Sequence, residues 1–264
     1  MKRAASTVFL GLMAFTLLSC GPVAEGPIQN IVPATSTSAP PTATIVWFPP
    51  SATPSAQALP TKQATPERKP GIGNLLFTDD FSSAEIWNPA VSDEASIDVS
   101  SNRLTIAAQP GVNAFRVRQG PTLTNFYAEI TARPSLCRDS DEYGLLFRAH
   151  NNVAYYGFAL SCNGTAGVER VRLNKPVVLQ PGMPSADVPL AAPGEVRLGV
   201  WINGSDMRFF LNGRYQFGIT DGTYTAGGIG AFARSDGDTP VTITFSDLSV
   251  YDVTYSESTQ TPRP

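Results

Sequence analysis

The sequence predicts an all-β fold of the sandwich, jelly-roll or barrel kind, and three observations carry that prediction. Short runs of alternating apolar and polar residues recur at roughly 8–12-residue spacing, which is the pattern of many short strands. Gly, Asn, Asp or Pro punctuates most of the gaps between them. No stretch holds an apolar 3.6-residue period long enough to indicate a helix. Residues 196–217, VRLGVWINGSDMRFFLNGRYQF, show the pattern most clearly as three strands joined by two tight turns. Asn203-Gly204 and Asn212-Gly213 are the expected turns, because Asn and Gly tolerate the positive φ of a two-residue hairpin loop. A loop at Asn203-Gly204 pairs Val200 with Met207, Leu198 with Phe209 and Val196 with Leu211, so all six share one face.

The chain has 264 residues, with 42% hydrophobic and 16% charged content and a net charge of −3. No basic stripe suits a nucleic-acid partner, and that class is excluded. The first twenty residues have their own logic. Lys2 and Arg3 precede an apolar run, residues 8–18, too short to span a bilayer. It ends at Leu17-Leu18-Ser19-Cys20, which resembles the lipobox of bacterial lipoproteins. The resemblance implies that residues 1–19 are a signal peptide and that Cys20 is lipidated, anchoring the chain outside the cytoplasm to the bacterial envelope. Stable anchoring takes two or more acyl chains.

Residues 20–74 read as a tether. Eleven of the fifty residues from 21 to 70 are Pro, which excludes regular helix and central strand. Too few large apolar groups are present to offset the entropy of ordering it. Ile45-Val46-Trp47-Phe48 interrupts the pattern, either as a docking motif or as an apolar spot in a linker. The folded body is expected over residues 75–253 and a polar tail over 254–264. Its strands are expected near residues 95–99, 103–108, 114–119, 126–133, 143–149, 154–161, 168–173, the hairpins, 228–233 and 241–250.

Within that body several stretches resemble concanavalin A-like and laminin G-like domains. They are Asp79-Asp80-Phe81 near Trp87, Tyr143-Gly144-Leu145-Leu146-Phe147-Arg148, Tyr155-Tyr156-Gly157-Phe158, Phe209-Phe210-Leu211-Asn212-Gly213, Gly227-Gly228-Ile229-Gly230, and Phe245-Ser246-Asp247-Leu248-Ser249-Val250. The resemblance implies a two-sheet antiparallel jelly-roll sandwich with its first and last strands adjacent. That superfamily includes glycan-binding modules, glycoside hydrolases and adhesion modules, so it specifies fold better than function. A looser likeness is to domains acting on 3-keto glycosides, to which no residue can be matched.

Candidate chemistry is sparse. Apart from Cys20 the chain has Cys137 and Cys162, an even pair that outside the cytoplasm reads as a disulfide. It would stabilise by about 3 kcal/mol on the chain-entropy model. The Glu-x-Asp-x-x-Glu strand of laminarinase-like hydrolases is absent, and so is a Gly-x-Ser-x-Gly elbow. Asp139, Asp141 and Glu142 read as solvated loop acids, and Asp236 and Asp238 as turn acids. His150 is the sole His, which rules out a multi-His zinc site. Jelly rolls of this kind hold calcium where the first and last strands meet, which makes Asp80 and Asp247 candidate ligands; the alternative is strand-edge acids that bind nothing. Opposite the apolar face of the main hairpin lie Arg197, Trp201, Arg208, Phe210 and Tyr215. They are either an aromatic–Arg platform for carbohydrate or a face covered by loops, with Arg stems over the rings. The expected function is non-catalytic glycan binding, against an enzyme with dispersed carboxylates or a protein-binding module.

Overall fold

The computed structural model describes residues 67–150 and 153–256. The signal peptide and lipidation expected at residues 1–19 and Cys20, and Ile45-Val46-Trp47-Phe48, lie outside the described residues. The described part forms fifteen strands. In chain order they begin with β1 (Ile72–Asp79), β2 (Ala90–Val91), β3 (Ala95–Ser100), β4 (Arg103–Ala108) and β5 (Asn113–Val117). Next come β6 (Phe126–Leu136), β7 (Glu142–His150), β8 (Ala154–Ser161), β9 (Thr165–Arg172) and β10 (Lys175–Pro184). The last are β11 (Val196–Asn203), β12 (Asp206–Leu211), β13 (Arg214–Thr220), β14 (Gly228–Arg234) and β15 (Val241–Val253).

They make the expected jelly-roll sandwich. One sheet runs β13-β12-β11-β6-β15-β4-β3-β2, with β1 also paired to β15; the other runs β10-β9-β8-β7-β14-β5, and every pairing is antiparallel. The first and last strands are neighbours, from Ile72 opposite Val253 to Asp79 opposite Leu248. β15 serves both β4 and β1. Its first half pairs with β4, then a bulge at Ser246 and Asp247, where Asp247 has φ 57°, hands the second half to β1.

Period-two alternation sorts the side chains. In β8, Tyr156, Phe158 and Leu160 face the other sheet, while Tyr155 and Ala159 face outward. The sheets meet on aromatic rings: Phe158 and Phe217 both pack on Phe209, at centroid distances of 4.9 and 5.2 Å. The Cys137–Cys162 disulfide forms, joining the end of β6 in one sheet to the end of β8 in the other.

Two details differ from the sequence reading. The first hairpin turns at Gly204-Ser205, not Asn203-Gly204, because Asn203 pairs with Asp206, Ile202 with Met207 and Val200 with Phe209. A slip of two residues preserves which face each side chain occupies, so the apolar face survives. Gly204, at φ 58°, supplies the positive φ that the first position of a II′ turn needs. The second hairpin turns at Asn212-Gly213 as expected, both with positive φ, and sets Phe210 opposite Tyr215. Also unanticipated is β10, which carries Pro176, Pro181 and Pro184; it is a sheet edge, where strands tolerate Pro.

Candidate functional site

The aromatic–Arg face of the hairpin is closed. Trp201 is wholly buried and Phe210 nearly so. Their cover is the chain just ahead of β1. The Trp201 indole Nε1 donates to the Pro70 carbonyl at 2.9 Å, and Arg208 donates to the Arg68 carbonyl while lying over the Trp201 ring at 4.4 Å. The Lys69 ammonium sits 4.6 Å from the Tyr127 centroid and 5.2 Å from that of Phe210, and the Arg68 guanidinium 4.7 Å from Tyr215. Tyr255 closes the other side, 6.0 Å from Trp201. The carbohydrate-platform expectation is thereby corrected. Arg197 and Tyr215 are exposed, but Trp201 and Phe210 offer no free ring face, and cations of the same chain already occupy the sites where a sugar would stack.

The acids at the β1–β15 junction divide differently from the calcium expectation. Asp79, not Asp80, points inward and is 6% exposed. It accepts from the Phe81 backbone N–H, the Trp87 indole and Arg118, so a guanidinium already balances it. Asp80 is exposed, and hydrogen bonds from the Ser82 side chain and then the Ser82 backbone N–H hold its carboxyl below the usual range. Asp247 is exposed on its bulge and accepts from Ser246. No group of three or more His, Cys, Asp or Glu able to hold a metal occurs among the described residues.

Asp141 is also corrected from solvated to buried, at 1% exposed. It accepts from the backbone N–H of Arg138 and of Asp236, tying two loops together. Glu142, the next residue, opens β7 and turns to the outer face of the six-stranded sheet. That face holds the best candidate site. Arg234 on β14 is paired across the ladder with Glu142, and its guanidinium binds the carboxylates of both Glu142 and Glu169, the latter at 3.2 Å. The three side chains are 27%, 29% and 14% exposed, so solvent reaches them. Burial of the guanidinium opposes its charge, but Glu142 and Glu169 outweigh that and hold Arg234 above its ordinary pKa.

The face is concave. Phe115 on β5 and Tyr155 on β8 are separated by two intervening strands, yet their ring centroids are 5.5 Å apart. A flat sheet with strands about 4.8 Å apart would hold them far from contact. Beside Arg234 the floor is Ala159 on β8 and Gly167 on β9, which are cross-strand neighbours, whereas Gly144, next to Ala159 on β7, lies against the Phe232 ring, and Phe232 and Leu146 fill the face toward Phe115 and Tyr155. A Cβ on Gly144 would stand 1.9 Å from the Phe158 carbonyl, so this close approach of strands admits only Gly. A shallow, open trough lies on one side of Arg234, lined also by Ser161, Thr165 and Gln180. A second hollow on the other side of Arg234 is lined by Asn113, Phe115 and Tyr155. The Tyr155 hydroxyl pKa is raised, first by burial and then by nearby Glu169. Sequence reasoning missed Glu169 and Arg234, because nothing local marks an acid on β9 and a base on β14 as neighbours.

No protein-family model matches the sequence, and no curated protein sequence matches it. Solved structures do match in fold. The carbohydrate-binding module CBM66 from Bacillus subtilis aligns at a TM-score of 0.51 and 12% identity, covering 63% of this chain and 96% of that one. A B. subtilis protein of unknown function with a galectin-like fold aligns at 0.50 and 14%, covering 70% and 99%. The catalytic domain of an endo-1,3-β-glucanase (laminarinase) from Thermotoga petrophila aligns at 0.51 and 10%, covering 69% and 98%. At these identities the likeness is one of fold, shared by carbohydrate-binding and glycoside hydrolase domains.

Proposed function

We propose that the sandwich binds extracellular or envelope glycan in the concave trough of the six-stranded sheet without cleaving it, and that a lipid on Cys20 holds it at the bacterial envelope. The observation that carries this reading is the Glu142–Arg234–Glu169 bridge over a floor of Ala159 and Gly167. Carboxylates accept from sugar hydroxyls, the Arg and amide groups donate, and a floor of small residues lets a ring lie close to the sheet. The carbohydrate-binding module of the same fold supports the reading by analogy. Binding rather than hydrolysis is favoured because a glycosidase needs two carboxyl groups facing across an open gap, whereas one guanidinium here binds both.

Because two carboxylates share the trough, a glycoside-active enzyme remains the second reading. The test is a glycan array on the purified protein, beside an Ala159→Phe variant whose ring fills the floor and an Arg234→Gln variant. Products of bound glycans are followed by mass spectrometry. Saturable binding lost in both variants, with glycans intact, is the expected result. Cleavage would transfer the site to the enzyme reading. Binding that survives both substitutions would place the site elsewhere, and no binding at all would leave a protein-binding module.

A further inference from the structure

The charges facing the trough specify the class of glycan it takes, an inference that rests on the binding reading above. On the six strands of this sheet the acids are Glu142 and Glu169 alone. Of the cations on the same strands, only Arg234 enters the trough. Arg170 turns away to Asp221 and Thr223, and Arg116 to the Asn88 carbonyl. Arg148 is 1% exposed and donates to three backbone carbonyls. Arg172 and Lys175 pair at the β9–β10 turn, at the far end of the face. The trough therefore carries two negative charges and one positive, and that positive charge is already bound by both negatives.

We infer that the trough selects glycans without acidic groups, uncharged or amine-bearing, and rejects carboxylated and sulfated ones. Two physical reasons act together. An anion brought to Arg234 must displace one of its carboxylates, and Glu169, 14% exposed, would be left a largely buried charge without its partner. An anion that leaves the bridge intact stands beside two carboxylates and one cation, a net repulsive site. Ionised carboxylates only accept hydrogen bonds, so they call for donors, which hydroxyl and ammonium groups supply and carboxylate or sulfate groups do not. Glu142 and Glu169 are then the residues that set selectivity, with Arg234 holding both in place.

The experiment compares matched oligosaccharides on several backbones, each as the neutral sugar, the amino sugar and the C6-carboxylate, against the whole protein at low and physiological salt. The expected result is binding to neutral and amine members, with the carboxylate at least about tenfold weaker, equivalent to about 1.4 kcal/mol. Raising the salt should narrow the gap. Glu169→Gln should narrow it further by removing one repulsive charge. Equal or tighter binding of the carboxylates would overturn the inference while leaving the glycan reading intact. A gap unchanged in Glu169→Gln would likewise overturn it, since the discrimination would then arise elsewhere. Failure of all three forms to bind would sink the glycan reading and this inference with it.

Discussion

Replacing Trp201 by Ala tests whether the hairpin's aromatic face is interior or surface. The indole is wholly buried, under Pro70, Arg208 and Tyr255. Truncating a buried Trp to Ala costs about 3–5 kcal/mol, because the lost transfer energy adds to a cavity. The structure adds one neutral hydrogen bond to Pro70, about 1 kcal/mol, and the Arg208 contact, about 0.5–1 kcal/mol. It also lowers the total, because residues 68–70 can settle into the space. A net cost of about 4 kcal/mol follows. With a urea m-value of about 2.5 kcal/mol/M for a domain of this size, the midpoint should fall by roughly 1.6 M. Trp201→Phe keeps most of the packing and loses the N–H, so it should cost about 1 kcal/mol. Urea titration followed by circular dichroism measures both. A Trp201→Ala midpoint within about 0.3 M of the parent would refute the reasoning, since a free platform residue can be removed at little cost.

Other substitutions probe the close strand contact at Gly144, the covalent link and the buried phenols. Gly144→Ala should destabilise by about 3 kcal/mol or more, because its Cβ meets backbone, whereas Gly157→Ala, whose Cβ would stand 3.5 Å from the Glu169 side chain, should stay within about 1 kcal/mol; paired urea curves separate them. Removing both halves of the Cys137–Cys162 bridge as Ala should cost about 3 kcal/mol for its separation of 25 residues, read as a lowered thermal midpoint. Burial raises the pKa of Tyr127 and Tyr143, and burial with the Asp221 hydrogen bond pushes Tyr156 up to about 12. The neutral phenols are favoured by folding, so their stabilisation is complete below pH 10 and lost as pH rises through the folded values. Each contributes a slope of up to about 1.4 kcal/mol per pH unit in that window, and Tyr156→Phe should flatten the alkaline limb.

The strands were legible because alternation and turn residues are local signals. Asn212-Gly213 fixed its hairpin outright, since both residues adopt positive φ there. The turn before it was ambiguous, because Asn203-Gly204 and Gly204-Ser205 both make two-residue loops with the same facing pattern. Tertiary partners accompany the observed choice: Asn203 donates to the Tyr255 carbonyl, and the Gly204 N–H donates to Asn125. Neither partner is visible within the hairpin. The disulfide could be read from a count, whereas the closure of the Trp201 face could not. Arg68 and Lys69 lie in a stretch whose composition reads as tether, and only the fold shows that their cations lie over Tyr215 and Tyr127.

The candidate trough was illegible for a stronger reason. Arg234 and Glu142 are 92 residues apart, and Arg234 and Glu169 are 65 apart. Alternation puts each on an outer face, but it does not say which strands adjoin or how far the sheet bends. The strand order does the first, seating β14 beside β7. The bend of the sheet does the second, since the Phe115 and Tyr155 rings meet across two strands. The curvature then brings the Arg234 side chain within reach of Glu169, across two intervening strands. A constellation of this kind is written into the sequence only as a scattered set of small residues and alternate charges. Its chemistry exists once the topology has folded those strands into one concave face, and for that reason the absence of a catalytic motif in the sequence carried so little information about where a ligand would bind.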